Sequence, residues 1–187
     1  MIDDSVEINL VPSSAPELHT RLRLAQLVIL LDELSDPNER GLHVERLSYY
    51  DFFSANPFVI FGPDDVLERS RLHLAGFDER QLSYASAGSR FANRRQRLQH
   101  DLSLVVAYGL LTISATGLVI TEAGREVAVG LRSIYADQYR ESVRVIHARF
   151  KRLSDPQLAR SARDWLKTPA LVLDLYGAAE LDPTEGI

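Results

Sequence analysis

Residues 105–126, with the sequence VVAYGLLTISATGLVITEAGRE, constrain the fold more than any other segment of this chain. The β-branched runs LLTIS and LVIT flank a short ATG segment, and a glycine-bearing turn between two such runs is typical of a β-hairpin. Gly109 stands where a preceding helix would end with a left-handed residue. Thr121 stands where a following helix would begin, because its hydroxyl can cap free backbone N–H groups. The segment therefore predicts a helix, a hairpin and a second helix in that order.

The residues upstream of the hairpin extend this prediction. From Ser89 to Tyr108, apolar side chains recur on one helical face, at Phe91, Leu98, Leu102 and Val105. Further helices are expected within residues 13–41, 42–57 and 63–77, where capping residues, prolines and glycines supply the starts and stops. A helix, a hairpin and a helix in this order follow the plan of a winged helix. We therefore expect a mainly α fold with a small β-hairpin, built as a winged-helix-like domain followed by long C-terminal helices.

Four segments are expected along the chain. They are an N-terminal arm (residues 1–14), a winged-helix-like domain (15–131), a helical extension (132–167) and a C-terminal tail (168–187). The arm contains SVEINLVP, whose alternating apolar residues predict a short edge strand or an extended arm; these residues are Val6, Ile8 and Leu10. The extension carries an apolar seam at spacings of four and three, which packs along another helix. The seam comprises Tyr135, Tyr139, Val143, Ile146, Phe150 and Leu153.

The first predicted helix differs from the others because it is apolar on every side from Leu24 to Leu34. Such a helix is covered from several directions, either by its own domain or by a second subunit. Its longest apolar run, Leu27 to Leu31, is far too short to cross a bilayer. We expect a cytoplasmic protein without a membrane partner.

Composition limits the range of functions. The chain has 21 lysine and arginine residues against 26 aspartate and glutamate residues, so its formal net charge is −5. Dedicated nucleic-acid binders are usually basic, and any DNA contact must therefore come from a local patch. Cysteine is absent, which excludes a disulfide framework and thiolate metal sites.

Motifs for catalysis or metal binding are not found in the sequence. The five histidines are scattered, and neither a phosphate-binding glycine loop nor a serine-nucleophile motif occurs. The adjacent Asp64 and Asp65 precede VLERSRL and suit the capping of a helix. We therefore expect no catalytic residues, no metal, no cofactor and no small-molecule substrate.

The helix that precedes the hairpin carries a basic run, SRFANRRQR, at residues 89–97. Arg90, Arg94 and Arg97 share one side of this helix, and Arg95 can add to the same patch. Guanidinium groups suit phosphates and guanine edges, so we assign these four arginines to a DNA-binding surface. The alternatives are a protein interface and a solvated surface, because Asp101 continues the same side.

Two apolar segments indicate contact with a partner protein. The run YYDFF places four rings in five residues, and we expect that one helix cannot direct all of them inward. The predicted partner surface comprises Tyr49, Tyr50, Phe52 and Phe53. The tail segment LVLDLYG has the same character and adds Leu171, Leu173, Leu175 and Tyr176.

Four blocks of the sequence carry a resemblance to a known family. They are LRLAQLVILLDEL, HVERLSYYDFFSANP, RRQRLQHDLSLVVAYGLLTISATGLVITEAGRE and LRSIYADQYRESV, and they cover roughly residues 20–145. In this order they resemble the small middle component of ABC-three-component systems, a family that includes the small subunit of Lamassu-type anti-phage systems. The pairs Tyr50–Asp51, Gly109–Leu110 and Ala123–Gly124 stand at the short motifs of that family.

The resemblance implies an accessory subunit without catalytic residues. Such a subunit would bind a coiled-coil SMC- or Rad50-like ATPase and couple the sensing of foreign DNA ends to an effector subunit. It would contact DNA, if at all, through the complex. The alternative that the residues themselves leave open is a winged-helix transcription regulator that binds an operator.

Overall fold

The computed structural model describes residues 20–35, 41–79 and 85–167. Its helices are α1 (Thr20–Glu33), α2 (Val44–Ala55), α3 (Val66–Leu74), α4 (Ala87–Ala107), α5 (Glu122–Gly130), α6 (Ile134–Phe150) and α7 (Asp155–Leu166). The strands are β1 (Leu111–Ser114) and β2 (Gly117–Ile120), and a 3-10 turn spans Pro57–Val59. The expected mainly α fold with a small β-hairpin is therefore confirmed.

Local signals set the boundaries of the hairpin unit as expected. Gly109 follows α4 with a φ of +71°, which glycine adopts without strain. The Thr121 hydroxyl accepts a hydrogen bond from the N–H of Gly124 at 3.1 Å and so caps α5. At α7, Ser154 occupies the cap position, and its N–H donates to the side-chain oxygen of Gln157 at 2.9 Å.

A small antiparallel sheet lies beside α4. β1 pairs with β2 in a register that runs from Leu111 opposite Ile120 to Ser114 opposite Gly117. On the other side of β2, the N–H of Leu42 donates to the Leu118 carbonyl at 2.9 Å, and the N–H of Leu118 donates back at 3.0 Å. β2 therefore lies between Leu42 and β1, and β1 is the outer strand of the described sheet.

Helix α6 forms the centre of the core. It packs against α1, α2 and α3, and the inner part of its predicted seam is buried, at Tyr139, Val143, Ile146 and Phe150. Trp165 of α7 stacks on Phe150 with ring centroids 5.9 Å apart. The helices within residues 132–167 thus pack into the same core as the helices that precede them.

Helix α1 is covered by its own chain. Leu27 to Leu31 are all buried, and α1 packs against α4, α5 and α6. Of the two explanations for its all-round apolar pattern, the described structure supports burial within the subunit. The segment before Thr20, including the expected helix start and arm, lies outside the described residues.

Candidate functional site

Arg94 on α4 does not lie on an exposed basic surface. Its side chain points into the protein and only 8% of the residue is exposed. Its Nε and Nη2 atoms donate to the two carboxylate oxygens of Asp51, each at 2.9 Å, and Nη2 also donates to Gln26 at 2.9 Å. The interpretation of Arg90, Arg94 and Arg97 as one exposed line is therefore wrong, because Arg94 is neutralised in the interior.

Arg23 on α1 and Asp101 on α4 complete a buried ionic cluster, by which we mean Arg23, Asp51, Arg94 and Asp101. Arg23 donates to both oxygens of Asp51 at 2.9 and 3.0 Å, and its Nε donates to Asp101 at 3.1 Å. The cluster contains two cations and two carboxylates, so its formal charge is zero. Pairing of this kind is what allows charged side chains to stay in a protein interior.

Asp51 is the centre of this cluster. Each of its oxygens accepts one hydrogen bond from Arg23 and one from Arg94. Burial by itself would raise the pKa of Asp51, but the guanidinium groups of Arg94 and Arg23 hold that pKa below its usual value. Since both oxygens are fully used, the carboxylate ties α1, α2 and α4 together and offers no atom to a ligand.

The polar interior continues from the cluster towards α6. The amide of Gln26 donates to the hydroxyl of Tyr135 at 2.5 Å. Tyr139 is buried nearby, and its pKa is raised by burial and also by the negative charge of Asp51. A protonated phenol is thus favoured next to the cluster. Four helices meet through these contacts.

The other arginines assigned to DNA also have contacts within the protein. Arg90 donates to the side chain of Asn56 at 2.6 Å and lies over the ring of Phe52. Arg95 is exposed and forms an ion pair with Glu45, while Arg97 is half-buried and has interactions of its own. DNA binding by Arg90, Arg95 and Arg97 stays a prediction.

The solvent-exposed side of α4 carries neutral polar side chains. This polar face of α4 comprises Asn93, Gln96, Gln99, His100 and Ser103. Amides both donate and accept, so they can pair with base edges or with the polar groups of a protein. Sequence reasoning missed this face because it followed the charges; the spacing of three and four between Asn93, Gln96 and His100 was available as a signal.

The aromatic run YYDFF is buried within the core. The exposed fractions of Tyr49, Tyr50, Phe52 and Phe53 are 8%, 2%, 1% and 0%. Rings from α4, α6 and α7 surround them, including Phe91 stacked on Tyr49 and Trp165 edge-on to Phe53. The expectation that one helix cannot bury all four rings is wrong, and they form no exposed surface for a partner.

The second predicted partner surface is the apolar segment of the C-terminal tail. Leu171, Leu173, Leu175 and Tyr176 lie outside the described residues, so their role in partner binding stays a prediction. Other large apolar side chains are exposed in the described part of the chain. They lie on α3 (Val66, Leu67 and Leu74), around β1 (Tyr108 and Ile113) and where α5 meets α6 (Val127, Val129, Ile134 and Tyr135).

The described residues contain neither a metal site nor a membrane-spanning helix. Within residues 20–35, 41–79 and 85–167, no group of three or more histidine, aspartate or glutamate side chains is arranged to hold a metal ion. No helix in these ranges has both the length and the apolar character needed to cross a membrane.

No protein-family model, curated protein or solved structure matches this chain.

Proposed function

We propose that this chain is a non-catalytic accessory subunit of an SMC- or Rad50-like ATPase complex in cytoplasmic anti-phage defence, where it joins the ATPase to an effector subunit. The observation that carries the proposal is the structural role of the residues on which the resemblance rests. Asp51 of the YD pair is the centre of the buried ionic cluster. Tyr50 beside it forms a hydrogen bond with His147 at 3.1 Å.

The glycine motifs are equally constrained. Gly109 needs a positive φ to leave α4. A Cβ atom on Gly124 would lie 2.2 Å from the Leu110 carbonyl oxygen and 2.7 Å from a side-chain carbon of Ile120. Only glycine lets α5 approach the hairpin this closely. Motif residues with such specific roles support a shared fold with the middle-component family.

The order of elements supports a winged-helix-like arrangement within this proposal. α1, the bridge at Leu42, α2, α4 and the β1–β2 hairpin follow the sequence of helix, short strand, helix, helix and wing. The pairing of Leu42 with β2 supplies the third strand position of such a sheet. On this reading α3 is an insertion between the second and third helices.

An accessory subunit needs a surface that fits its partner. Because YYDFF is buried, we assign this role to the α5–α6 junction patch, which comprises Val127, Val129, Ile134 and Tyr135. Ile134 is 80% exposed and Val129 is 58% exposed. Four exposed apolar side chains within nine residues are suited to burial against a larger protein.

Co-purification with any SMC- or Rad50-like ATPase encoded beside this chain tests the proposal. We expect the wild-type chain to form a stable complex, and the double substitution Val129→Asp with Ile134→Asp to abolish it. The matched control, Val66→Asp with Leu67→Asp, changes two side chains of similar exposure on α3 and should leave the complex intact. A wild-type chain that stays a monodisperse monomer and ignores the neighbouring ATPase would remove the proposal.

The second candidate is a winged-helix transcription regulator, and the polar face of α4 is the observation that favours it. Asn93 and Gln96 are suited to adenine edges in the major groove. The test is binding to duplexes from the chain's own promoter region, with Gln96→Ala and His100→Ala against the wild type. Equal affinity for every duplex, compared at one salt concentration, would exclude operator recognition.

A further inference from the structure

Helix α7 has an apolar side and a basic side. Leu158 and Ala162 are buried at a spacing of four, and Trp165 continues the same side by packing on Phe53 and Phe150. The opposite side carries three exposed cations at spacings of three and four, which places them on one face of the helix. This α7 basic face comprises Arg160, Arg163 and Lys167.

The charge of this region is opposite to that of the whole chain. Residues 144–167 hold seven lysine and arginine residues against two aspartates, whereas the chain as a whole has a formal net charge of −5. Both lysines of the chain, Lys151 and Lys167, lie in this segment. A local excess of positive charge on an acidic protein indicates a surface for a polyanion, because it raises the local concentration of negatively charged partners.

The two arginines of the α7 basic face are not neutralised by the described acidic residues. The Nε atoms of Arg160 and Arg163 donate to carbonyl oxygens within α7, at 3.4 and 3.2 Å. No ion pair joins either guanidinium to an acidic side chain in the described part of the chain. Lys167 lies 3.5 Å from Asp164, and both side chains are 76% exposed. Such an exposed pair contributes little, so it does not prevent Lys167 from binding another anion.

Arg95 of α4 lies beside the α7 basic face. Burial, followed by the charge of Glu45, raises the pKa of Tyr49, and the charges of Arg95 and Arg163 act against that rise. Both guanidinium groups therefore lie near the Tyr49 hydroxyl, although they belong to different helices. The packing of α7 against α4 thus adds a fourth exposed cation to the basic surface.

The α7 basic face lacks the apolar centre that anchors most protein interfaces. Among the described residues, the exposed large apolar side chains lie on α3, around β1 and at the α5–α6 junction, with Val44 at the start of α2. None of them lies on α7. Interfaces with DNA are polar and positively charged, whereas protein partners are held mainly by buried aromatic and apolar groups. The chemistry of this surface therefore favours DNA over an acidic protein.

We propose that the α7 basic face and Arg95 bind the phosphate backbone of double-stranded DNA without reading its sequence. Guanidinium groups match phosphate oxygens through two parallel hydrogen bonds. From Arg160 to Lys167 the axis of α7 rises about 10 Å, a length over which one strand of a duplex carries about three phosphates. Three cations thus meet three phosphates when α7 lies along the duplex. This inference goes beyond the proposed function, because it holds or fails whether or not the chain joins an ATPase.

Binding of the full-length chain to a fluorescently labelled DNA duplex of random sequence, measured by anisotropy at several salt concentrations, tests this proposal. We expect Arg160→Gln with Arg163→Gln to weaken binding at about 0.1 M salt by at least about tenfold. The slope of log affinity against log salt should fall in magnitude by about two. The control, Arg71→Gln with Arg132→Gln, removes the same charge from exposed arginines elsewhere and should change the affinity by less than about threefold.

A second variant separates charge from side-chain shape. Arg160→Lys with Arg163→Lys keeps both charges and should retain most of the affinity, and circular dichroism checks the fold of every variant. Equal losses for the two glutamine pairs, or a wild-type chain that does not bind the duplex at about 50 mM salt, would overturn the proposal. Polyglutamate that displaces the labelled duplex as effectively as unlabelled duplex does, at equal charge concentration, would assign the surface to an acidic protein segment and would also overturn it.

Discussion

The carboxylate of Asp51 on α2 is bound on both oxygens by the guanidinium of Arg94 on α4, with each N···O distance at 2.9 Å. Arg23 on α1 binds the same carboxylate from another side. This arrangement fixes three helices relative to one another in the interior. It also makes the cluster sensitive to the loss of any single member, because an unpaired buried charge costs more than an exposed one.

Asp51→Asn should strongly destabilise the protein. Two buried arginines would keep their charges while losing the carboxylate between them, and we expect the free energy of unfolding to fall by about 3 to 5 kcal/mol. Urea denaturation followed by circular dichroism measures the effect. Glu45→Gln is the control, since it removes the exposed partner of Arg95 and should cost less than about 1 kcal/mol. Similar losses for the two variants would show that the cluster contributes little.

Arg94→Gln and Arg95→Gln should differ sharply although the two residues are neighbours. Arg94→Gln leaves Asp51 with half of its hydrogen bonds and should lower stability by about 3 kcal/mol. The Arg95 side chain is 46% exposed and pairs with a carboxylate that is 55% exposed, so its substitution should cost less than about 1 kcal/mol. Thermal unfolding of both variants provides the comparison. Any loss of DNA or partner binding in Arg94→Gln must then be compared with its folded fraction, whereas Arg95→Gln reports on the surface directly.

Gly124→Ala should destabilise the contact between α5 and the hairpin. The added methyl group would overlap the Leu110 carbonyl, and the backbone must shift to accommodate it. We expect a loss of about 1 to 3 kcal/mol, measured by chemical denaturation. Gly130→Ala in the same helix is the control, because a Cβ there meets nothing within 4 Å and should be neutral or slightly stabilising. Equal effects would mean that the close approach relaxes without cost.

Stability should rise with pH below about pH 6.5, and level off above it, because of His147. Burial, followed by the charges of Lys151 and Arg46, lowers the pKa of His147 below its ordinary value of 6.5. The unfolded chain then binds the proton more readily, so His147 favours the folded state above about pH 6.5 and loses this contribution as the pH falls below it. Urea midpoints between pH 5 and pH 8 measure the slope. His147→Gln should flatten it, and an unchanged slope would assign it to another group.

The sequence predicted local features, such as helix ends, better than contacts between residues far apart in the chain. Gly109 and Thr121 act within their own turns of helix, so their roles follow from residue type and position. The partners of Asp51 cannot be found in that way, because Arg94 lies 43 residues away in the chain, and Arg23 meets Asp101 across 78 residues. The burial of Tyr49 and Phe53 likewise depends on α4, α6 and α7 arriving on different sides of α2.

One signal for the buried ionic cluster was nevertheless present in α4. Arg94 and Asp101 fall on the same helical stripe as the buried Leu98 and Val105, at spacings of four, three and four. A charged pair within an apolar stripe indicates opposite charges facing it from elsewhere in the protein. The predicted surface line grouped Arg94 with Arg90 and Arg97 because all three are basic. The alignment of Arg94 with the buried Leu98 and Val105 indicates instead that its side chain points into the protein.

The zero formal charge of the buried ionic cluster limits which substitutions its four positions can accept during evolution. A single replacement at position 23, 51, 94 or 101 leaves an unmatched interior charge, whereas simultaneous exchange of all four for aliphatic side chains of similar volume preserves the balance. Descendants of this sequence are therefore expected to inherit the quartet whole or to lose it whole. The four positions are therefore expected to change together.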